Sequence, residues 1–108
     1  MIPSEIQKLL ADLTAENTRG GQALYEAEVR LAEAENELDL VEAKAFIKHS
    51  GTVADRQAHA RIEAGEVRLQ RDLRKAEANR IRVKIRSLES SIMAAQTQAK
   101  LLQAEMKL

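Results

Sequence analysis

The chain reads as an all-α protein: a long antiparallel helical hairpin of coiled-coil type with a short N-terminal helix, self-associating into a helical bundle. Three observations predict this. Ala, Glu, Leu, Lys, Arg and Gln dominate 108 residues that hold one proline, four glycines and two aromatic side chains, the composition of long helices rather than of a compact globule. Apolar residues recur in heptads over most of the length. A turn motif near the middle is flanked by helices of opposite charge, with ten acids and five bases in residues 1–50 and seven acids and twelve bases in 51–108.

The first element is a short helix over about 4–17. Ser4-Glu5-Ile6-Gln7 fits a capping box, and Ile6, Leu9, Leu10 and Leu13 form one apolar stripe. Gly20-Gly21 then reads as a break, because each glycine weakens a helix by about 1 kcal/mol relative to alanine. Beyond it, the first helix either continues along residues 85–97 or swings onto another subunit.

A second helix follows over about 21–49. Leu24, Leu31, Leu38 and Ala45 take heptad position a, and Ala27, Ala34, Val41 and Lys48 take d. Ser50-Gly51-Thr52-Val53-Ala54-Asp55 ends it and starts the next. Gly51 suits the left-handed position after a helix, Thr52 suits an N-cap, and Asp55 favours the positive end of the new helix dipole.

The third helix spans about 53–106, on the order of 80 Å at 1.5 Å per residue. Its a positions are Gln57, Ala64, Arg71, Ala78, Ile85, Ile92, Ala99 and Met106; its d positions are Val53, Ala60, Val67, Arg74, Ile81, Leu88, Ala95 and Leu102. Gly65 interrupts this helix at an outward position. Ile81-Arg82-Val83-Lys84-Ile85-Arg86 alternates like a strand, but a lone strand inside a helical pattern has no partner to pair with. Arg71 and Arg74 at core positions read either as snorkelling stems paired with Glu33 or Glu35, or as a device that sets register or subunit number.

Charge complementarity then folds the chain at Gly51-Thr52. Glu28, Glu35 and Glu42 line the e edge of the second helix, and Arg61, Arg68 and Lys75 that of the third. Antiparallel pairing matches Glu42 with Arg61, Glu35 with Arg68 and Glu28 with Lys75. On the other flank it matches Lys44 with Glu63 and Arg30 with Glu77. In the core it matches Leu24 with Ile81, Leu38 with Val67 and Val41 with Ala64.

What lies outside that seam bears on function. Val29, Leu40, Phe46 and Ile47 on the second helix, and Ile62, Leu69 and Val83 on the third, make apolar stripes that a lone hairpin leaves wet. Such stripes predict an oligomer interface, most simply two hairpins in a four-helix bundle. Arg80, Arg82, Lys84 and Arg86 carry charge left over by the hairpin pairing and are the candidate nucleic-acid contacts.

There is no cysteine, hence no disulfide or thiolate metal site. His49 and His59 lack a cluster of acids for a metal, and no catalytic dyad, triad or glycine-rich phosphate loop is recognisable. The sequence therefore predicts no enzyme, no cofactor and no small-molecule substrate. No apolar run reaches the roughly 18 residues that span a bilayer and no signal pattern opens the chain, so a cytoplasmic protein without a membrane partner is expected.

The segment Ala45-Phe46-Ile47-Lys48-His49-Ser50-Gly51-Thr52-Val53-Ala54-Asp55-Arg56-Gln57-Ala58 resembles a turn in small helical proteins of tailed bacteriophages and prophages. There, an aromatic or aliphatic run and G-T-V-A-acid-R join two helices. Arg86-Ser87-Leu88-Glu89-Ser90 is similar to a run near the end of their second helix. Those proteins are often encoded near recombination and single-strand-binding genes. The resemblance implies a phage accessory protein in DNA metabolism, acting in the bacterial host cell. The function expected is thus a non-enzymatic oligomeric interaction or scaffold protein. The alternatives are an accessory nucleic-acid-binding protein and an inhibitor docking on a host or phage enzyme.

Overall fold

The computed structural model describes residues 3–107, all in helices and the short connections between them. Helix α1 spans Pro3–Lys48, α2 Val53–Glu63 and α3 Gly65–Met106. Within each of two units, helix α1 packs antiparallel to the returning helices as in a hairpin. The chain packs as two units. The turn unit is Tyr25–Asn79; the terminal unit combines Met1–Leu24 with Arg80–Leu108.

The hairpin and its coiled-coil seam stand as the heptads predict, but two helix boundaries do not. Gly20-Gly21 does not break the chain: the expected short first helix forms the opening turns of α1. The heptad phase explains why. Ile6, Leu13, Gly20 and Ala27 follow one another at intervals of seven, as do Leu10, Asn17, Leu24 and Leu31, so the packing face crosses the glycines in register. Packing of an amphipathic face outweighs a propensity cost of about 2 kcal/mol for the glycine pair. Gly20 is itself part of the seam of the terminal unit. A Cβ there would lie 3.1 Å from Ile85 Cγ1, whereas one on Gly21 would meet nothing within 4 Å. The same unit buries Ile6, Leu88 and Ala95. Pro3, Ile6 and Leu10 share a crevice with Ala99, Leu102 and Met106. In this structure the first turns pack against the last turns of α3.

The second difference lies in the third helix, which splits at Ala64. That residue sits at φ −87° and ψ 5° and ends α2, and Gly65 opens α3. Arg68 spans the interruption. Its Nη1 and Nη2 each donate to the Arg61 carbonyl at 3.2 Å, in the last turn of α2, where carbonyls lack helical partners. The strand-like run Ile81–Arg86 is helical, with Ile81 and Ile85 half-buried and Val83 exposed.

The turn forms as the sequence suggests. His49 still donates to the Ala45 carbonyl at 3.2 Å, and Gly51 then takes φ +112°, a backbone region that suits glycine. Thr52 and Asp55 close a reciprocal capping box, with Asp55 N–H on Thr52 Oγ1 at 3.1 Å and Thr52 N–H on Asp55 Oδ2 at 3.4 Å. Arg56 ties the two arms together: Nε donates to the Phe46 carbonyl at 2.9 Å, and the guanidinium lies 4.1 Å from the Phe46 ring centre.

Gly21→Ala is expected to raise unfolding free energy by about 1 kcal/mol in urea titrations, while Gly20→Val lowers it because a branched side chain adds bulk where a Cβ would already come within 3.1 Å of Ile85 Cγ1. Asn17 Oδ1 is shielded and makes no hydrogen bond within the chain. Leucine there is expected to stabilise by about 1 kcal/mol or more, read from the same titration.

Candidate functional site

The turn unit carries the most developed surface feature. Its buried residues are Ala27, Leu38, Ala45, Ala60, Ala64 and Ala78, with Leu31, Val41 and Val67 half-buried at the same heptad seam, while several other large apolar side chains are exposed. Between α1 and α2 runs an open groove of about 1020 Å³. Ala43, Phe46, Ile47, Ala58 and Ile62 supply its apolar lining; Asp39 and Glu42 stand on the α1 side, Arg61 and Arg68 on the other. Ile47 and Ile62 are 75% and 78% exposed. Of the other residues expected at an interface, Val29, Leu40, Leu69 and Val83 are exposed, while Phe46 is half-buried under Arg56. Tyr25 and Leu73 are also exposed.

The ion pairs distribute differently from the expected ladder. Arg30 Nη2 meets Glu77 Oε1 at 2.6 Å, as the antiparallel register requires. Glu42, however, pairs with Arg68 at 3.1 Å rather than with Arg61. The reason is the break at Ala64: Arg68 turns back to the Arg61 carbonyl, and Glu42 is then the carboxylate beside it, instead of Glu35. Glu63 takes Lys48 at 3.6 Å and His49 at 2.5 Å rather than Lys44. Glu28, Glu35 and Lys75 are exposed along the same e edges.

Arg71 and Arg74 do not use Glu33 or Glu35. Arg71 Nε bonds its neighbour Asp72 at 2.7 Å, and Arg74 Nη1 reaches Glu77 at 3.3 Å. Both are half-buried, as snorkelling stems should be. Glu77 thus sits between Arg30 and Arg74. The hydrogen bond from Arg30, then the Coulombic pull of both guanidiniums, holds its carboxyl below the ordinary range against a partial desolvation cost. Glu63 is lowered in the same way, first by the hydrogen bond to His49 and then by Lys48. His49 also stacks on His59, with ring centres 4.2 Å apart and planes 11° off parallel.

A second groove, of about 500 Å³, lies in the terminal unit. Arg19, Arg80 and Lys84 line it together with Glu16, Ile85 and Leu88. Arg86 is exposed and Arg82 half-buried on the same helix. The contribution of Arg19 was not visible in the heptad of α3, because it comes from α1 at a place the glycine pair had marked as a break. Among the described residues no group of three or more His, Cys, Asp or Glu side chains could hold a metal, and no helix is long and apolar enough to cross a membrane.

Both lowered glutamates have one consequence for stability. Their ionised forms stabilise the hairpin fully above the ordinary glutamate range, and this contribution is lost as pH falls through their lower folded values. Glu63→Gln and Glu77→Gln are expected to melt below the parent chain at neutral pH, with the gap closing as pH drops below that range. Thermal melts followed by circular dichroism across acidic pH check this. No protein family, curated protein or solved structure matches the chain.

Proposed function

We propose that the chain is a non-enzymatic helical-hairpin interaction or scaffold protein that works as an oligomer of hairpins. The observation that carries this reading is the large apolar surface that the turn unit leaves outside its seam. The seam encloses five alanines and Leu38, while Ile47, Ile62, Leu69, Leu73 and Tyr25 are each more than half exposed. Burying a large aliphatic side chain is worth about 1.5–3 kcal/mol, and patches of such side chains mark protein interfaces. A second layer of helices would cover them, as in a four-helix bundle. The turn segment's resemblance to small phage proteins gives this scaffold a setting in phage DNA metabolism as part of the same proposal.

The test is solution mass. Light scattering is expected to return at least twice the 12.0 kDa of one chain. Ile47→Glu with Ile62→Glu is expected to return the single-chain mass. A parent chain that remains a single, fully helical hairpin across micromolar concentrations would remove the proposal.

A second reading, nucleic-acid binding, draws on the convergence of Arg19, Arg80 and Lys84 on one groove. It expects retardation of DNA at low salt, lost steeply as salt rises and abolished by Arg80→Glu with Lys84→Glu. Absence of retardation at low salt would eliminate it.

A further inference from the structure

The groove of the turn unit is electrically two-sided. Asp39 stands on its α1 wall and Arg61 on the opposite wall, with Ile47 and Ile62 in the apolar lining, while Glu42 and Arg68, which also line it, pair with each other at 3.1 Å. The same polarity extends along each edge, through Glu35 on α1 and Lys75 on α3. A surface with an acidic rail, an apolar strip and a basic rail is complementary to itself under one rotation only. Turning a second copy by half a turn about an axis parallel to the helices lays its basic rail on the first copy's acidic rail, and the reverse. A two-fold axis across the helices would instead set α1 on α1, acid against acid, and arginine against arginine.

We infer that a second copy of this chain occupies the groove, related by a two-fold axis that runs along the helices, with Asp39 of each copy facing Arg61 of the other. This rests on the self-association reading and adds the seat, the axis and the residues that select it. A two-fold interface uses one patch twice, which is what a patch carrying both halves of its own charge pattern provides. In this arrangement each helix is flanked by antiparallel neighbours, its own arm and that of the second copy, as in an up-and-down bundle. Ile47 and Ile62 supply the apolar strip and the rails supply direction. Charged rims mainly choose orientation and exclude wrong partners.

Asp39 and Arg61 are suited to the test, since among the described residues neither side chain takes part in the hairpin's ion pairs. Asp39→Arg alone places two cationic rails against each other; Arg61→Glu alone weakens the basic rail at both contacts. Each variant is expected to weaken self-association by roughly tenfold or more in sedimentation equilibrium. An equimolar mixture of the two is expected to recover association as a heterodimer. In it the arginine introduced at position 39 of one chain meets the glutamate introduced at position 61 of the other, while the remaining contact keeps its native charges. Recovery on mixing also shows that each variant chain folds. Single variants that associate like the parent, or a mixture that stays dissociated, would overturn this seating while leaving self-association intact. A parent chain that does not associate would overturn both.

Discussion

The alanine seam between antiparallel helices is the constraint on which the turn unit depends. Ala27, Ala45, Ala60, Ala64 and Ala78 are buried there, with Leu38 the one large buried residue among those described in that unit. Alanine at the contact lets helix axes approach at the short end of the usual range of about 8–10 Å. It also leaves little apolar area removed from water, at about 25 cal/mol per Å². A seam of this kind specifies a close, in-phase pairing but contributes little to stability per turn of helix. Beyond Leu38 and the half-buried Leu31, Val41 and Val67, large aliphatic side chains such as Ile47, Ile62, Leu69 and Leu73 lie on the outer faces. Local packing and the case for association thus have one physical origin.

Polar contacts fix the pairing at particular places rather than along a uniform ladder. At the turn, Gly51, the Thr52–Asp55 capping box and the Arg56–Phe46 bond set where the chain reverses. One break further on, Arg68 joins all three helices by taking the Arg61 carbonyl and the Glu42 carboxylate together. Deeper in the unit, Glu77 bridges Arg30 and Arg74. These groups are partly solvated, so each contributes modestly. Their joint effect is to choose one register out of several that an alanine-rich seam would accept.

The charge segregation between the two halves of the sequence acquires a meaning in this geometry. Of the acids of α1 and the bases of α2 and α3 that line one groove, Glu42 and Arg68 pair with each other, while Asp39 and Arg61 enter none of the hairpin's ion pairs among the described residues. Arg61 is released from the hairpin because Arg68 has taken Glu42. A rail that is left incompletely paired within the chain is available to a second one. In the terminal unit the surplus of base is gathered differently, with Arg19 of α1 beside Arg80 and Lys84 of α3, and it forms a cationic groove that owes nothing to the ladder.

Much of this was legible in the residues. The heptads of Leu24–Ala45 and Ala60–Leu102 give the seam, Gly51-Thr52 with Asp55 gives the reversal and its cap, and the outer positions of Ile47, Ile62 and Leu69 give the exposed stripes. These depend on periodicity and on local backbone chemistry, which a sequence carries by itself. Tertiary structure alone decided the rest. Gly20-Gly21 reads as a break on propensity, yet Gly20 is where α1 closes on Ile85, and a packing face that runs in phase outweighs two weak residues. Ala64-Gly65 does interrupt a helix, and the carbonyl freed at Arg61 redirects Arg68 away from Glu35 to Glu42. Charge order along a sequence shows which sides attract; which arginine meets which glutamate depends on backbone groups left without partners, and those exist only once the helices have packed.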